Sequence, residues 1–201
     1  MNSESIPEYK IILASNSSIR QKILEDSGIS FEVVPSEVEE EELKQSLSSN
    51  NFREYCLALA KAKALDVSNK KKNAYVIGSD QICSYGEEIF SKPLTKENCF
   101  KTLSKLSGNT HYQNCGISIC KDGKEIWSHY AQASLTMKSL SDSEIKDYID
   151  KDEPLMACGA YRFESLGKNL FLSTKGDETT IQGLTLNPII NFLSSEKVID
   201  I

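Results

Sequence analysis

The chain has 201 residues, a formal net charge of −6 and ordinary apolar content, which suits a soluble globule built as one α/β domain or two small lobes. An acidic balance excludes binding to nucleic acid by bulk electrostatics, no apolar run reaches the length of a membrane span, and Met1-Asn2-Ser3-Glu4-Ser5 carries no secretory pattern. Cys56, Cys83, Cys99, Cys115, Cys120 and Cys158 form no C-x-x-C pair and the histidines are His111 and His129, so zinc spacing is absent and the thiols read as small core residues of a protein expected in a reducing, cytoplasmic compartment.

Lys10-Ile11-Ile12-Leu13-Ala14 reads as a strand that runs into Ser15-Asn16-Ser17-Ser18-Ile19-Arg20-Gln21-Lys22, where hydroxyls and cations crowd a strand-to-helix turn. Such a turn offers an anion free backbone N–H groups, the positive end of a helix dipole and Ser donors. Arg20 can add a bidentate grip on phosphate. Ser15, Ser17 or Ser18 can equally serve as helix caps, and the two roles are compatible. The helix is expected from about Ser18 to Ser27, with Ile19, Ile23 and Leu24 on one face and Gly28 as its stop. Phe31–Pro35 is a second strand. The acidic run Glu37, Glu39, Glu40, Glu41 and Glu42 is either a solvated helix start or a source of a metal carboxylate.

Asn51-Phe52-Arg53-Glu54 resembles a capping box, opening a helix to about Val67 with Phe52, Cys56, Leu59 and Ala60 on one face and Lys61 and Lys63 near its end. A polar loop, Asn69–Asn73, leads to Ala74-Tyr75-Val76-Ile77-Gly78-Ser79-Asp80-Gln81. This apolar run reads as a buried strand broken by Gly78, with Asp80 at its C-terminal end. In open α/β sheets ligands bind at that edge, although Asp80 by itself reads equally as a turn residue bonded to its own backbone. Ile82–Tyr85 and Glu88–Phe90 pair around Gly86. A helix follows from about Lys96 to Leu106, then strands Thr110–Cys120 and Lys124–Met137 joined by Asp122-Gly123, a hairpin signal. Ser141-Asp142-Ser143-Glu144 caps a helix to about Ile149, Phe171-Leu172 lies in a late strand, and Asn187-Pro188 starts a helix with Pro at its first position.

Read in order, these segments resemble the Maf family of nucleotide pyrophosphatases over about Lys10 to Leu193. Ile12–Ser17 is similar to the family's opening L-A-S-x-S-P-R-R. Leu57–Ala64 is similar to its R-L-A-x-x-K-A helix and Val76–Gln81 to its G-[AS]-D-[TQ] segment. Ser91-Lys92-Pro93 matches G-K-P, Leu106-Ser107-Gly108 matches L-S-G, and Glu153-Pro154 with Gly159-Ala160-Tyr161 matches E-P…A-G-A-Y. Gly183-Leu184 matches the closing G-L-P-L. Each piece is weak alone; their order and spacing are specific.

The resemblance implies a single mixed α/β domain with a central twisted sheet and a cleft between two lobes. It implies hydrolysis of a nucleoside triphosphate between the α and β phosphates with a divalent metal, Mg²⁺ or Mn²⁺. Asp80 corresponds to the family's proton acceptor and Ser15, Arg20, Lys63 and Lys92 would hold the phosphates. Glu40, the Glu of the family's D-E pair, would join Asp80 at the metal. The partner is then a nucleoside triphosphate, with no nucleic acid or membrane, and with a homodimer as an open assembly. Gln81 and Glu164 match the subgroup that prefers 7-methyl-GTP, whose members carry Trp where this chain has Ile19. A Trp face stacks on a cationic base with about 0.5–2 kcal/mol, and Ile packs without that quadrupole. Further departures are Ser18 for Pro, Gln21 for the second Arg of the opening motif, Ala58 for the helix Arg, Glu39 for the Asp of D-E and Thr185 for the closing Pro. The alternatives are a dTTP/UTP or broad-range pyrophosphatase, and a nucleotide-binding regulator of cell division without turnover.

Overall fold

A computed structural model of the chain describes residues 10–47 and 51–200; the expectation made for Met1–Ser5 lies outside them. The first half alternates short strands with helices: β1 (Lys10–Leu13), α1 (Ser18–Asp26), β2 (Glu32–Val33), α2 (Glu40–Ser46) and α3 (Phe52–Lys70). The centre is strand-rich: β3 (Ala74–Tyr85), β4 (Glu88–Phe90), α4 (Lys96–Leu106), β5 (Thr110–Lys121) and β6 (Lys124–Met137). The chain closes with α5 (Asp142–Asp152), a 3₁₀ turn at Leu166–Leu170, β7 (Phe171–Lys175), α6 (Glu178–Ile181) and α7 (Leu186–Ser195). The strands form one mixed sheet in the order β2-β1-β3-β5-β6-β7, with β4 also on β3. Among the described residues no helix is long and apolar enough to cross a membrane.

β3 organises the sheet. It runs parallel to β1 over Ala74–Ile77 and antiparallel to β4 over Cys83–Tyr85. β5 flanks it from Val76 to Ser84. Residues 78–82 therefore have β5 on one edge and neither β1 nor β4 on the other. The apolar core divides in the same way. Ile11, Leu13, Tyr75, Ile77 and Ile117 pack with α1 and α7 through Leu24, Ile189 and Leu193. Cys83, Leu135 and Met137 pack with α4 and α5 through Leu103, Leu106 and Ile145. Further clusters pack α3 against β1 and β3 through Ala64, Ile12 and Val76, and through Leu59 and Ile82, so β3 runs through the whole core of the expected mixed α/β domain.

Three expectations need correction. Gly78 does not break the strand, and Asp80 stands in the middle of β3, not at its end. Gly78 is a site of close approach: a Cβ there would lie 2.2 Å from the Ala60 carbonyl oxygen of α3. Gly116, directly across from Asp80 on β5, makes the same allowance, its Cβ falling 2.5 Å from the carbonyl carbon of Cys56. Two missing side chains thus let the α3 backbone descend onto the sheet. Pro188 is the third residue of α7, not the first, because Thr185 is the N-cap and Leu186 opens the helix. Pro is still tolerated there, since a first-turn N–H has no intrahelical acceptor. Finally, Ser17 occupies the N-cap of α1 without a capping bond from its side chain; the Ser15 hydroxyl accepts from the Ser17 N–H instead, at 3.2 Å.

One buried polar group makes the fold sensitive to acid. His111 on β5 is fully buried, with Nε2 2.9 Å from the Tyr161 hydroxyl, which itself accepts from Gln113 Nε2 at 2.7 Å. Burial pushes the imidazole down to about 4. The folded protein therefore holds it neutral while the unfolded chain takes up a proton near its ordinary value of 6.5. This contribution to stability is complete above pH 6.5 and is lost as pH falls towards 4, about 3 kcal/mol across the window. Urea unfolding of wild type and His111→Gln at several pH values isolates it: the variant should show a shallower loss over that range. Parallel curves would show that His111 does not drive the slope.

Candidate active site

The alternation of β3 distributes the chemistry over two faces. Gly78, Asp80 and Ile82 face α3, Ile82 packing on Tyr55, Cys56 and Leu59. Ser79 and Gln81 face the segment around α6, where the Ser79 hydroxyl donates to the Gly183 carbonyl at 2.7 Å. Asp80 and Gln81, adjacent in sequence, consequently serve opposite sides of the sheet.

On the α3 face, Lys63 lies one turn beyond Leu59 and Ala60, and the close approach at Gly78 and Gly116 brings its ammonium onto Asp80. Lys63 Nζ is 2.8 Å from Asp80 Oδ1 and 2.9 Å from Glu40 Oε1. Lys63 and Asp80 are both 7 % exposed, so the pair is shielded from solvent and interacts far more strongly than a surface pair. Glu40 reaches the same ammonium from α2. Burial pushes its carboxyl up, but the Lys63 charge, followed by that of Lys44, outweighs this and holds it below the ordinary carboxylate value.

Arg20 closes the open edge of β3. Its Nε donates to the Gly183 carbonyl at 2.8 Å, and its Nη1 to the Ser79 carbonyl at 3.0 Å and the Ser15 hydroxyl at 3.3 Å. The side chain expected to grip phosphate thus also ties the β1–α1 turn to β3 and to the α6–α7 connection. Gly183 has φ +98, and a Cβ there would lie 2.9 Å from Gln81 Oε1; only glycine permits this convergence. The next β3 carbonyl, that of Gln81, accepts from the Cys158 thiol at 3.7 Å. Lys92, exposed in the β4–α4 connection, acts on the same thiol. Burial raises Cys158, Asp80 raises it further, and the charges of Lys92, Arg20 and Lys44 oppose that rise.

The residues matched to base choice separate. Ile19 and Glu164 line one cavity of about 250 Å³, with Phe163, Ser165, Glu178 and Gln182 among its walls. Gln81 is not on that wall: its Nε2 donates to the Thr180 and Ile181 carbonyls at 3.1 and 2.7 Å and holds α6 in place. Glu164 pairs with Arg162 at 3.3 Å. Its loop is anchored by Asp152, which is 5 % exposed and accepts from Tyr148 at 2.8 Å and from Ser165 at 2.6 Å. Asp152 and Lys44 did not emerge from the sequence, and Gly183 emerged only as part of the closing motif. Gly183 acts through Arg20 and Ser79, both distant in the chain, whereas Asp152 lies four residues from its partner Tyr148 on one helical face. Lys44 had a visible signal, its spacing of four residues from Glu40 on one helical face.

For a divalent cation, the oxygen donors present are the carboxylates of Asp80 and Glu40, both turned to the Lys63 ammonium. Among the described residues no group of three or more His, Cys, Asp or Glu gathers to hold a metal. Two carboxylates fit Mg²⁺ or Mn²⁺, which commonly take one or two protein carboxylates and complete their shell with water and substrate phosphates. The set is a poor match for zinc.

The nearly buried Asp80 carboxylate is paired with the Lys63 ammonium beside the stretch of β3 that neither β1 nor β4 covers. Comparison with known proteins shows the family: the model described as Maf-like protein matches residues 10–196, and the chain belongs to the Maf family. A nucleoside triphosphate pyrophosphatase of Legionella pneumophila (strain Corby) is 41 % identical over 199 residues, covering 99 % of this chain and 100 % of that protein. A 7-methyl-GTP pyrophosphatase of Brucella abortus biovar 1 is 40 % identical over 195 residues, covering 95 % and 98 %. Among solved structures, the Ham1 protein of Staphylococcus aureus aligns with a TM-score of 0.46 at 16 % identity over 93 % of this chain and 99 % of that one.

The buried pair carries a stability consequence. Lys63→Met leaves the Asp80 carboxylate without its buried partner, a loss of about 3–5 kcal/mol. Adding Asp80→Asn should recover most of it, since the uncompensated charge is gone. Denaturant unfolding of wild type, both single variants and the double variant gives the coupling directly. Strictly additive losses would mean the two side chains do not interact.

Proposed function

We propose that this chain is a nucleoside triphosphate pyrophosphatase that cleaves between the α and β phosphates, with a guanine-type nucleotide, 7-methyl-GTP or a related modified form, as substrate. The observation that carries the reading is Asp80: a nearly buried carboxylate paired with Lys63, an ammonium that also holds Glu40. Its support is the family membership and the names of the Legionella and Brucella relatives.

In this mechanism the triphosphate lies along the open edge of β3, with Lys63, Lys92, the Ser15 hydroxyl and the Arg20 guanidinium against its phosphates. Asp80 orients a water in line with the α phosphorus and takes its proton. The water oxygen bonds to that phosphorus, the bridge to the β phosphorus breaks, and pyrophosphate leaves with the electron pair. The cations hold the charge that develops on it. A divalent ion held by Asp80 and Glu40 would supply further neutralisation of the phosphate oxygens. Six free thiols, none paired in a disulfide, agree with a reducing, cytoplasmic setting.

Asp80→Asn keeps the shape and removes the basicity, so turnover should be abolished while binding of a non-hydrolysable triphosphate analogue persists. Pyrophosphate release from a panel of nucleotides, with and without Mg²⁺ or Mn²⁺, measures it. A variant that turns over its best substrate at the wild-type rate would remove Asp80 from the chemistry.

The shared cavity of Ile19 and Glu164 supports the choice of base. Guanine's N1–H and N2–H₂ edge donates two protons, which suits a carboxylate. Glu164→Gln replaces one acceptor oxygen with a donor. A mismatched pair costs about 1–3 kcal/mol, so preference for guanine should fall by roughly one to two orders of magnitude. Ile19→Trp should raise discrimination for the methylated, cationic base by stacking. The measurement is kcat/KM for 7-methyl-GTP, GTP, dTTP and UTP. A wild type that favours dTTP or UTP would leave the pyrophosphatase reading and discard the guanine assignment.

A further inference from the structure

We infer that Lys44 is a further substrate-contacting residue, a cation carried by α2 that transfers from its carboxylate partners to the phosphates of the bound nucleotide. The inference rests on the pyrophosphatase reading and adds a residue to that site.

Glu40 and Lys44 share one face of α2 four residues apart, and that face is turned to the site, since Glu40 reaches Lys63. Lys44 is not an ordinary surface lysine. Its side chain is 28 % exposed, whereas that of Glu41, its nearest partner at 2.8 Å, is 82 % exposed. Glu40 Oε2 lies 3.5 Å from the same ammonium. The buried Tyr55 phenol on α3 feels both Lys44 and Asp80, and the Cys158 thiol feels Lys44 together with Asp80, Lys92 and Arg20. The Lys44 ammonium therefore stands within the charge field of the site, on the α2 side.

Its partners make it available. The Glu41 carboxylate is largely in water, so its hold on Lys44 is weak and screened. The site holds an alternating chain of charges, Glu41, Lys44, Glu40, Lys63 and Asp80. In it, the Lys63 charge is already divided between two carboxylates. A triphosphate adds several negative charges to this chain, and Lys44 is the cation in it whose closest partner is easily given up. The competing account is that Lys44 only staples α2 through pairs at i−3 and i−4.

Glu41 separates the two accounts, because it holds Lys44 and has no contact with Asp80 or Lys63 among the described residues. Calorimetric titration with inorganic pyrophosphate and with a non-hydrolysable triphosphate analogue is run on wild type, Lys44→Gln, Lys44→Arg and Glu41→Gln, beside thermal melting. If Lys44 contacts phosphate, Lys44→Gln weakens both ligands by about 10- to 100-fold and Lys44→Arg restores most of the affinity. Glu41→Gln leaves binding unchanged or tighter, since it frees the ammonium. If Lys44 is only a staple, Glu41→Gln and Lys44→Gln lower the melting temperature alike and shift affinity alike, and the inference is overturned. Wild-type affinity in Lys44→Gln overturns it too, while an inactive Asp80→Asn beside it leaves the pyrophosphatase reading standing. A wild type that binds neither ligand removes both.

Discussion

The ion pair between Lys63 and Asp80 ties the site to the fold. It joins a helix to the middle of a strand in a region that water barely reaches, where an unpaired charge would be strongly destabilising. The pair can form only because α3 lies unusually close to the sheet. That closeness depends on Gly78 and Gly116, diagonal neighbours on β3 and β5 that present no side chain to the Ala60 and Cys56 backbone. Helix position, strand register and placement of the proposed general base are thus one constraint, expressed in two glycines and one ion pair.

Around that pair the architecture divides labour by the pleat of β3. One face carries Asp80 towards α3 and α2, where the ammonium and carboxylate groups alternate. The other carries Ser79 and Gln81 towards Gly183 and α6, beside the cavity of Ile19 and Glu164. Arg20 spans the gap at the unpaired edge of the strand. In the proposed reading, phosphate chemistry and base recognition lie on opposite sides of the sheet and can vary separately. The departure at Ile19 falls on the cavity side.

Much of this was legible in the chain. Local signals need only nearby residues, so the strand at Lys10–Leu13, the hairpin at Asp122-Gly123 and the capping box at Ser141 all appear as expected. Their chemistry is carried by backbone conformation and short-range hydrogen bonds. The ordered series of short motifs also sufficed to mark the family and to single out Asp80, Lys63 and Lys92 as candidates.

What required the tertiary structure was every property that depends on contact across the chain. Gly78 looked like a strand breaker because a glycine weakens a strand locally; only the packed helix above it reveals a close approach. Gln81 carries the same letter whether it meets a base or, as here, the backbone of α6. Arg20 is a cation in any reading, yet its bonds to Ser79 and to Gly183, 163 residues away, make it a clamp as well. Composition, periodicity and motif order were enough for the elements and the class of chemistry, because those follow from near neighbours. Burial, pairing and the sharing of charge among Lys63, Glu40 and Asp80 were decided by packing, because an electrostatic interaction is set by distance and solvent exposure, which the linear order of residues does not contain.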